Sequence, residues 1–242
     1  MMNATTKLLT EHQLLNIGCQ AEYHKPNLIL VHTPGLEFSM GTEMPSGALF
    51  EGPANIKHAI REHKHFQNQL RATGAKVLTV KDVLLEGTFN EDNNLHEGSA
   101  LDALRNLAFH SLQYTFDGIY LKDRIELEET RREAINNKHP EELVDVILRQ
   151  PQFKISYSKE GNTAYQTEYS IRPLYNIMFV RDHMITTDKG VVLGRMNSTQ
   201  RMSEIAVMRF ILEKLGVPII YDLSESGYQE AKLDGGDFIP CG

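Results

Sequence analysis

Two short stretches of the 242-residue sequence carry carboxylates that could act together: "NIMFVRD", which ends in Asp182, and "AKLDGGDFIP", in which Asp234 and Asp237 flank Gly235 and Gly236. The first reads as an apolar strand through Ile177 and Phe179. That places Asp182 at a strand end between apolar walls, where a low dielectric strengthens an ionic contact. Asp234 has the same placement at the end of "AKL", and the double glycine lets backbone approach closely or take positive φ. Two ionised strand-end carboxylates suit a guanidinium, which presents five N–H donors in one plane. An ordinary turn explains the same residues equally well: Arg181 and Asp182 would open it toward Thr187, and the acidic pair would frame a second turn at the surface.

Other chemistries find less support. The sequence holds no Walker loop, no G-x-G-x-x-G after a strand, no H-E-x-x-H and no G-x-S-x-G. Three of the ten histidines, His58, His63 and His65, cluster in "HAIREHKH". On a helix a spacing of two sends side chains to different faces, so no metal site is expected. The only cysteines, Cys19 and Cys241, form neither a disulfide framework nor a metal knuckle and read as free thiols. A net charge of -7 argues against nucleic acid as a partner, because phosphate affinity comes from clustered Lys and Arg. No apolar run is long enough for a membrane span, and "MMNATTKLLTEHQLL" lacks a targeting pattern, so a cytoplasmic protein is expected.

The elements that must position these residues read as α/β, with 41% hydrophobic and 24% charged residues suiting a folded chain. "NLILVHT" predicts a buried strand, Asn27 to Thr33. A helix follows on Ile56, Ala59, Ile60, His63, Phe66 and Leu70, with Pro53 near its start and Gly74 as its cap. "KVLTVKDVL" predicts a second strand, completing a β-α-β unit over residues 1–85. Residues 86–171 read as a helical insertion, with Leu101, Leu104, Leu107, Ala108 and Leu112 on one face and a solvated, charge-rich segment after them. Residues 172–242 return to α/β: a strand in "LYNIMFVRD", the turn "TTDKG", a strand in "VVLGRM", a helix on Ile205, Met208, Ile211, Leu212 and Leu215 ending at Gly216, then "VPIIYDL" and "AKLDGGDFIP".

The segments "LVHTPGLEF", "ALFEGPANIKHAIREHKHFQNQLRATGAKVL", "PLYNIMFVRD", "GRMNSTQRMSE" and "LDGGDFIP" stand in the order and spacing of arginine deiminases. The sequence resembles that guanidino-group-modifying family over nearly its whole length, the protist-type members most. The resemblance implies a partial α/β propeller of pentein-like ββαβ modules with an inserted helical subdomain. It also implies hydrolysis of L-arginine to L-citrulline and ammonia without a cofactor, by a homo-oligomer. Matched motif by motif, Asp182 and Asp234 grip the guanidinium, Leu49 and Asn176 shape the pocket, and Arg201 meets the α-carboxylate. Asp237, Gly235 and Gly236 support the turn.

Two departures qualify the resemblance. The family has Glu where this chain has Asp234, a carboxylate drawn back by about 1.5 Å. The family's nucleophilic cysteine, catalytic histidine and a further aspartate all follow the E-G-G-D segment, and this sequence stops before them. The expectation is an amino-terminal part that is inactive alone, since neither Cys19 nor Cys241 stands at the nucleophile's place. Left with open strand edges, it is expected to self-associate or to pack against a complementary chain. The alternatives are a non-catalytic arginine-binding or interaction module, or another guanidino-modifying enzyme such as an amidinotransferase or methylarginine hydrolase.

Overall fold

The computed structural model describes residues 18–228 and 230–241. The amino-terminal stretch read above for targeting lies outside them. The chain divides into two compact units, residues 1–86 with 174–242, and residues 87–173. In the first, β1 (Leu28–Val31) pairs in parallel with β2 (Lys76–Thr79), Leu28 opposite Lys76 and Val31 opposite Thr79. Between them lie α1 (Leu36–Glu43), a 3-10 turn (Pro45–Ala48) and α2 (Ile56–Ala72). The Asn55 side chain starts α2 by accepting from the His58 N–H at 3.1 Å, and Gly74 lies just past its end at φ +88.

The second predicted strand stops earlier than "KVLTVKDVL" implies. Thr79 accepts from the Asp82 N–H at 3.1 Å while Asp82 accepts from the Thr79 N–H at 2.9 Å, a reciprocal cap that turns Val80–Leu85 into the short helix α3. Its Val80, Val83 and Leu84 are completely buried.

The second unit contains α4 (Ser99–Ser111), β3 (Gln113–Asp117), α5 (Leu121–Asn136), α6 (Pro140–Arg149), β4 (Pro151–Tyr157) and β5 (Tyr165–Ile171). Leu101, Leu104 and Ala108 of α4 and Leu143 and Ile147 of α6 are wholly buried. The charged helix α5 buries only Ile135, as a solvated helix should. The three strands, which the helical reading of this segment omitted, form one sheet in the order β3-β4-β5. Period-two alternation produces them: Phe153, Ile155 and Tyr157 share a face, with Tyr114 opposite Phe153 and Phe116 opposite Ile155.

Back in the first unit come a 3-10 turn (Val180–His183), β6 (Met184–Thr187), β7 (Gly190–Leu193), α7 (Met202–Leu215) and β8 (Ile219–Asp222). β7 pairs antiparallel with β6 and parallel with β8. "LYNIMFVRD" is therefore not a strand, and Asp182 does not end one. Leu174, Ile177 and Val180 are buried at intervals of three, the period of 3-10 turns, whereas Phe179, which a strand face would pair with Ile177, is exposed. Nor is "AKLDGGDFIP" a strand beyond a single antiparallel bridge from Leu233 to Arg195, because Gly235–Asp237 closes into another 3-10 turn. The result is a mixed α/β architecture with three small sheets among the described residues.

Helix α7 buries Ile205, Val207, Met208, Ile211 and Leu212 and ends at Gly216, φ +71. Near its end Lys214 donates from Nζ to the Leu84 carbonyl at 2.8 Å. Burial lowers its ammonium from 10.5 to about 8, against the opposing pull of Glu86. The folded chain thus releases this proton before the unfolded chain does, so stability gains with rising pH through that window, while the cost of burying the charge stays whole below it. Thermal melts should show the wild type gaining on Lys214→Met from about pH 8 to about pH 10. A difference that stays flat with pH contradicts this.

Candidate functional site

Asn176 anchors the site from within the turn that precedes Val180–His183. It is 2% exposed; its backbone N–H donates to Glu204 Oε1 at 3.0 Å and its Nδ2 donates to the Ala48 carbonyl at 3.0 Å. The second bond ties down the Pro45–Ala48 turn, which Gln200 Nε2 also holds by donating to the Gly47 carbonyl at 3.1 Å. The turn ends at Leu49 in a left-handed conformation, φ 64, with its side chain largely exposed. Helix α1 packs tightly beside it: a Cβ on Gly41 would fall 2.8 Å from the Phe50 ring and 2.9 Å from that of Tyr175.

Arg201 lies at the start of α7 and is 9% exposed. It donates from Nη1 to Asp182 Oδ2 at 3.0 Å, from Nε to Glu204 Oε2 at 3.0 Å, and from Nη2 to the Asn176 carbonyl at 3.4 Å. Glu204 Oε2 also accepts from His183 Nε2 at 2.7 Å; an ionised carboxylate only accepts, so this ring nitrogen carries the proton. Asn176, Asp182 and Arg201, three of the residues expected to form a site, thus belong to one connected network, and Leu49 follows Ala48, whose carbonyl that network holds. The Asp182 side chain is 29% exposed and already holds a guanidinium, that of Arg201.

The turn carrying Asp234 packs against the Val180–His183 turn. Gly235 is the point of contact: a Cβ there would lie 1.8 Å from the Arg181 carbonyl oxygen. Gly194 makes the neighbouring approach, its Cβ position 2.4 Å from the Leu233 oxygen and 3.6 Å from the Asp182 oxygen. Arg181 stitches the two turns by donating from Nε to the Gly235 carbonyl at 3.3 Å and from Nη2 to the Phe238 carbonyl at 3.1 Å, and it also pairs with Glu22. That guanidinium holds the Glu22 carboxyl below its ordinary range. The Asp234 carboxylate accepts from the Gly236 N–H at 3.1 Å, and Asp237 Oδ2 accepts from the Asp234 N–H at 3.1 Å, so the acidic pair caps its own turn.

Glu204 and His183 escaped the sequence reading, although Glu204 lies within "GRMNSTQRMSE" and His183 directly follows "PLYNIMFVRD". The available signal was Glu204 in "RMSE", three residues after Arg201 on a helix, the spacing at which opposite charges meet. Both thiols bond nearby carbonyls, Cys19 that of Ala21 at 3.7 Å and Cys241 that of Ile239 at 3.5 Å. Among the described residues no group of three or more His, Cys, Asp or Glu could hold a metal ion, and no helix is long and apolar enough to cross a membrane. A cleft of about 770 Å³ lies within the first unit, walled by Leu28, Leu30, Met184 and Leu215 and edged by Arg181 and Gly235. Asp182, Asn176 and Arg201 do not line it.

Residues 46–242 match the family model described as arginine deiminase. The chain belongs to the arginine deiminase family. Arginine deiminase of Borrelia recurrentis (strain A1) is 26% identical over 229 residues, 91% of this chain and 52% of the relative. That of Streptococcus uberis is 26% identical over 239 residues, covering 91% and 53%. That of Clostridium perfringens is 22% identical over 245 residues, covering 95% and 54%. The chain spans about half the length of these curated arginine deiminases.

Proposed function

We propose that this chain supplies the substrate-gripping part of an arginine deiminase, a hydrolase that converts L-arginine to L-citrulline and ammonia without a cofactor. The observation that carries the reading is the Asp182–Arg201–Asn176 network in a member of this family. Asp182 takes the guanidinium of the ligand and Arg201 its α-carboxylate, a planar fork suited to a two-oxygen partner. Both ion pairs exchange with the internal Arg201–Asp182 pair, so no charge is left alone. Asn176 and Leu49 shape the walls, and Asp234 lies one turn away across the Gly235 contact. The strand order β6-β7-α7-β8 is a ββαβ arrangement, which supports a propeller-type module for this part of the chain.

Hydrolysis also needs a nucleophile at the guanidinium carbon and a proton donor for the leaving ammonia. Cys19 and Cys241, each bonded to a carbonyl two residues away, receive neither role. The purified 242-residue chain is therefore expected to bind L-arginine saturably in calorimetry while a colorimetric assay finds no citrulline. Absence of binding overturns the site; turnover overturns the assignment of attack to groups other than these.

A further inference from the structure

We propose that Glu204 is the positioning residue of this site: it holds the Nε edge of Arg201, the backbone of Asn176 and the ring of His183, leaving only the Nη edge of Arg201 to exchange Asp182 for a ligand carboxylate. The inference rests on the reading of the site as an arginine site. Glu204 is 1% exposed, so its charge is met by protein donors alone. Oε2 accepts from Arg201 Nε at 3.0 Å and from His183 Nε2 at 2.7 Å, and Oε1 from the Asn176 N–H at 3.0 Å. Those donors come from separate segments, the turn at Asn176, the 3-10 turn that holds Asp182, and the start of α7. One carboxylate therefore fixes the relative placement of three of the residues assigned to the ligand, Asn176, Asp182 and Arg201. Its place in the first turn of α7 favours a negative charge there.

The two carboxylate bonds of Arg201 differ in depth. The Nε bond ends on a carboxylate shut away from water; the Nη1 bond ends on Asp182, whose side chain is 29% exposed. Water competes with the outer bond and not with the inner one, so the outer bond is the one that opens. Once a ligand guanidinium takes Asp182, the freed Nη edge faces the same opening, in a plane that Glu204 has set. A ligand with a guanidinium but no carboxylate gains the first contact and leaves Arg201 Nη1 unpaired, while Nη2 keeps the Asn176 carbonyl.

L-arginine and agmatine, its decarboxylated form, separate this role from general support of the fold. In Glu204→Gln the amide presents a donor to Arg201 Nε or to the His183 N–H, and the guanidinium plane is no longer held. L-arginine affinity by calorimetry should fall tenfold to a hundredfold, roughly the loss of one charge-assisted bond. Agmatine affinity should fall by less than about threefold. Equal losses for both ligands, or no loss, overturn the role of Glu204 while leaving the arginine site intact; a wild-type chain that binds neither ligand overturns the site itself. Because the variant can fail to fold, the wild type carries a second readout. The ¹⁵N-edited resonance of the Arg201 Nε–H should stay protected and nearly unshifted as L-arginine is added, while the Asp182 carboxyl resonance moves. An Nε–H that loses protection on binding overturns the proposal.

Discussion

Asp182→Asn is expected to weaken L-arginine binding by 30- to 100-fold, roughly 2–3 kcal/mol, measured by calorimetry on the 242-residue chain. The amide keeps the shape of the carboxylate, loses its charge and replaces one acceptor with a donor that faces a guanidinium. Truncating one partner of a buried charged pair costs about 2–5 kcal/mol, and partial exposure of Asp182 places this case at the low end. In the variant Arg201 keeps Glu204 and the Asn176 carbonyl, so the loss of stability should stay smaller than the loss of affinity, about 1 kcal/mol or a fall of roughly 2–4 °C in melting temperature. Unchanged affinity in the variant would remove Asp182 from the site.

The second large effect is on stability. Gly235→Ala places a Cβ 1.8 Å from the Arg181 carbonyl oxygen and 2.8 Å from that of Met184, both main-chain atoms that cannot rotate away. Relief requires the Gly235–Asp237 turn to lift from Val180–His183, which breaks the Arg181 bond to the Gly235 carbonyl and strains the Leu233–Arg195 bridge. A cost of about 3 kcal/mol or more follows, a fall in melting temperature of roughly 6–12 °C for a chain of this size. Gly236 is the internal control. A Cβ there meets only Asp234 Oδ1, at 3.2 Å, a side-chain atom able to yield. Melts in which the two alanine variants shift alike would refute the argument from backbone contact.

What the sequence disclosed follows the range of the interactions involved. Helix α2 was legible because Pro53 near its start, its apolar spacing and Gly74 at its end are local signals, although its cap proved to be Asn55. Helix α7 was legible for the same reason, through Ile205 to Leu215 and Gly216. The strand assigned to "NIMFVRD" failed because an apolar run is compatible with more than one period, and burial of Leu174, Ile177 and Val180 at intervals of three chose the turn. Thr79 and Asp82 carried a readable capping signal that the β-branched run around them obscured. The strands of the second unit, rich in Tyr and Phe but interrupted by Gln, Lys and Glu, show their alternation only once paired.

The site divides along the same line. Asp182, Asn176 and Arg201 came from a resemblance in motif order; taken alone, the carboxylates suited a plain turn equally well. Glu204 has partners at Asn176 and His183, 28 and 21 residues away, and no spacing rule reaches that far. Asp234 was expected to project toward a ligand with a shortened arm. In the structure its carboxylate caps the turn through the Gly236 N–H, a bond that a short side chain makes well.

The left-handed backbone at Leu49 bears on how a ligand would be received. A leucine in that conformation stores roughly 1–2 kcal/mol, and it persists because Asn176 holds the Ala48 carbonyl while the Phe50 N–H donates to the Pro45 carbonyl at 2.8 Å. Ordering such a loop removes about 1–2 kcal/mol of backbone entropy per residue. Here that loss belongs to folding, so a ligand received as proposed would meet a main chain whose ordering cost is already met.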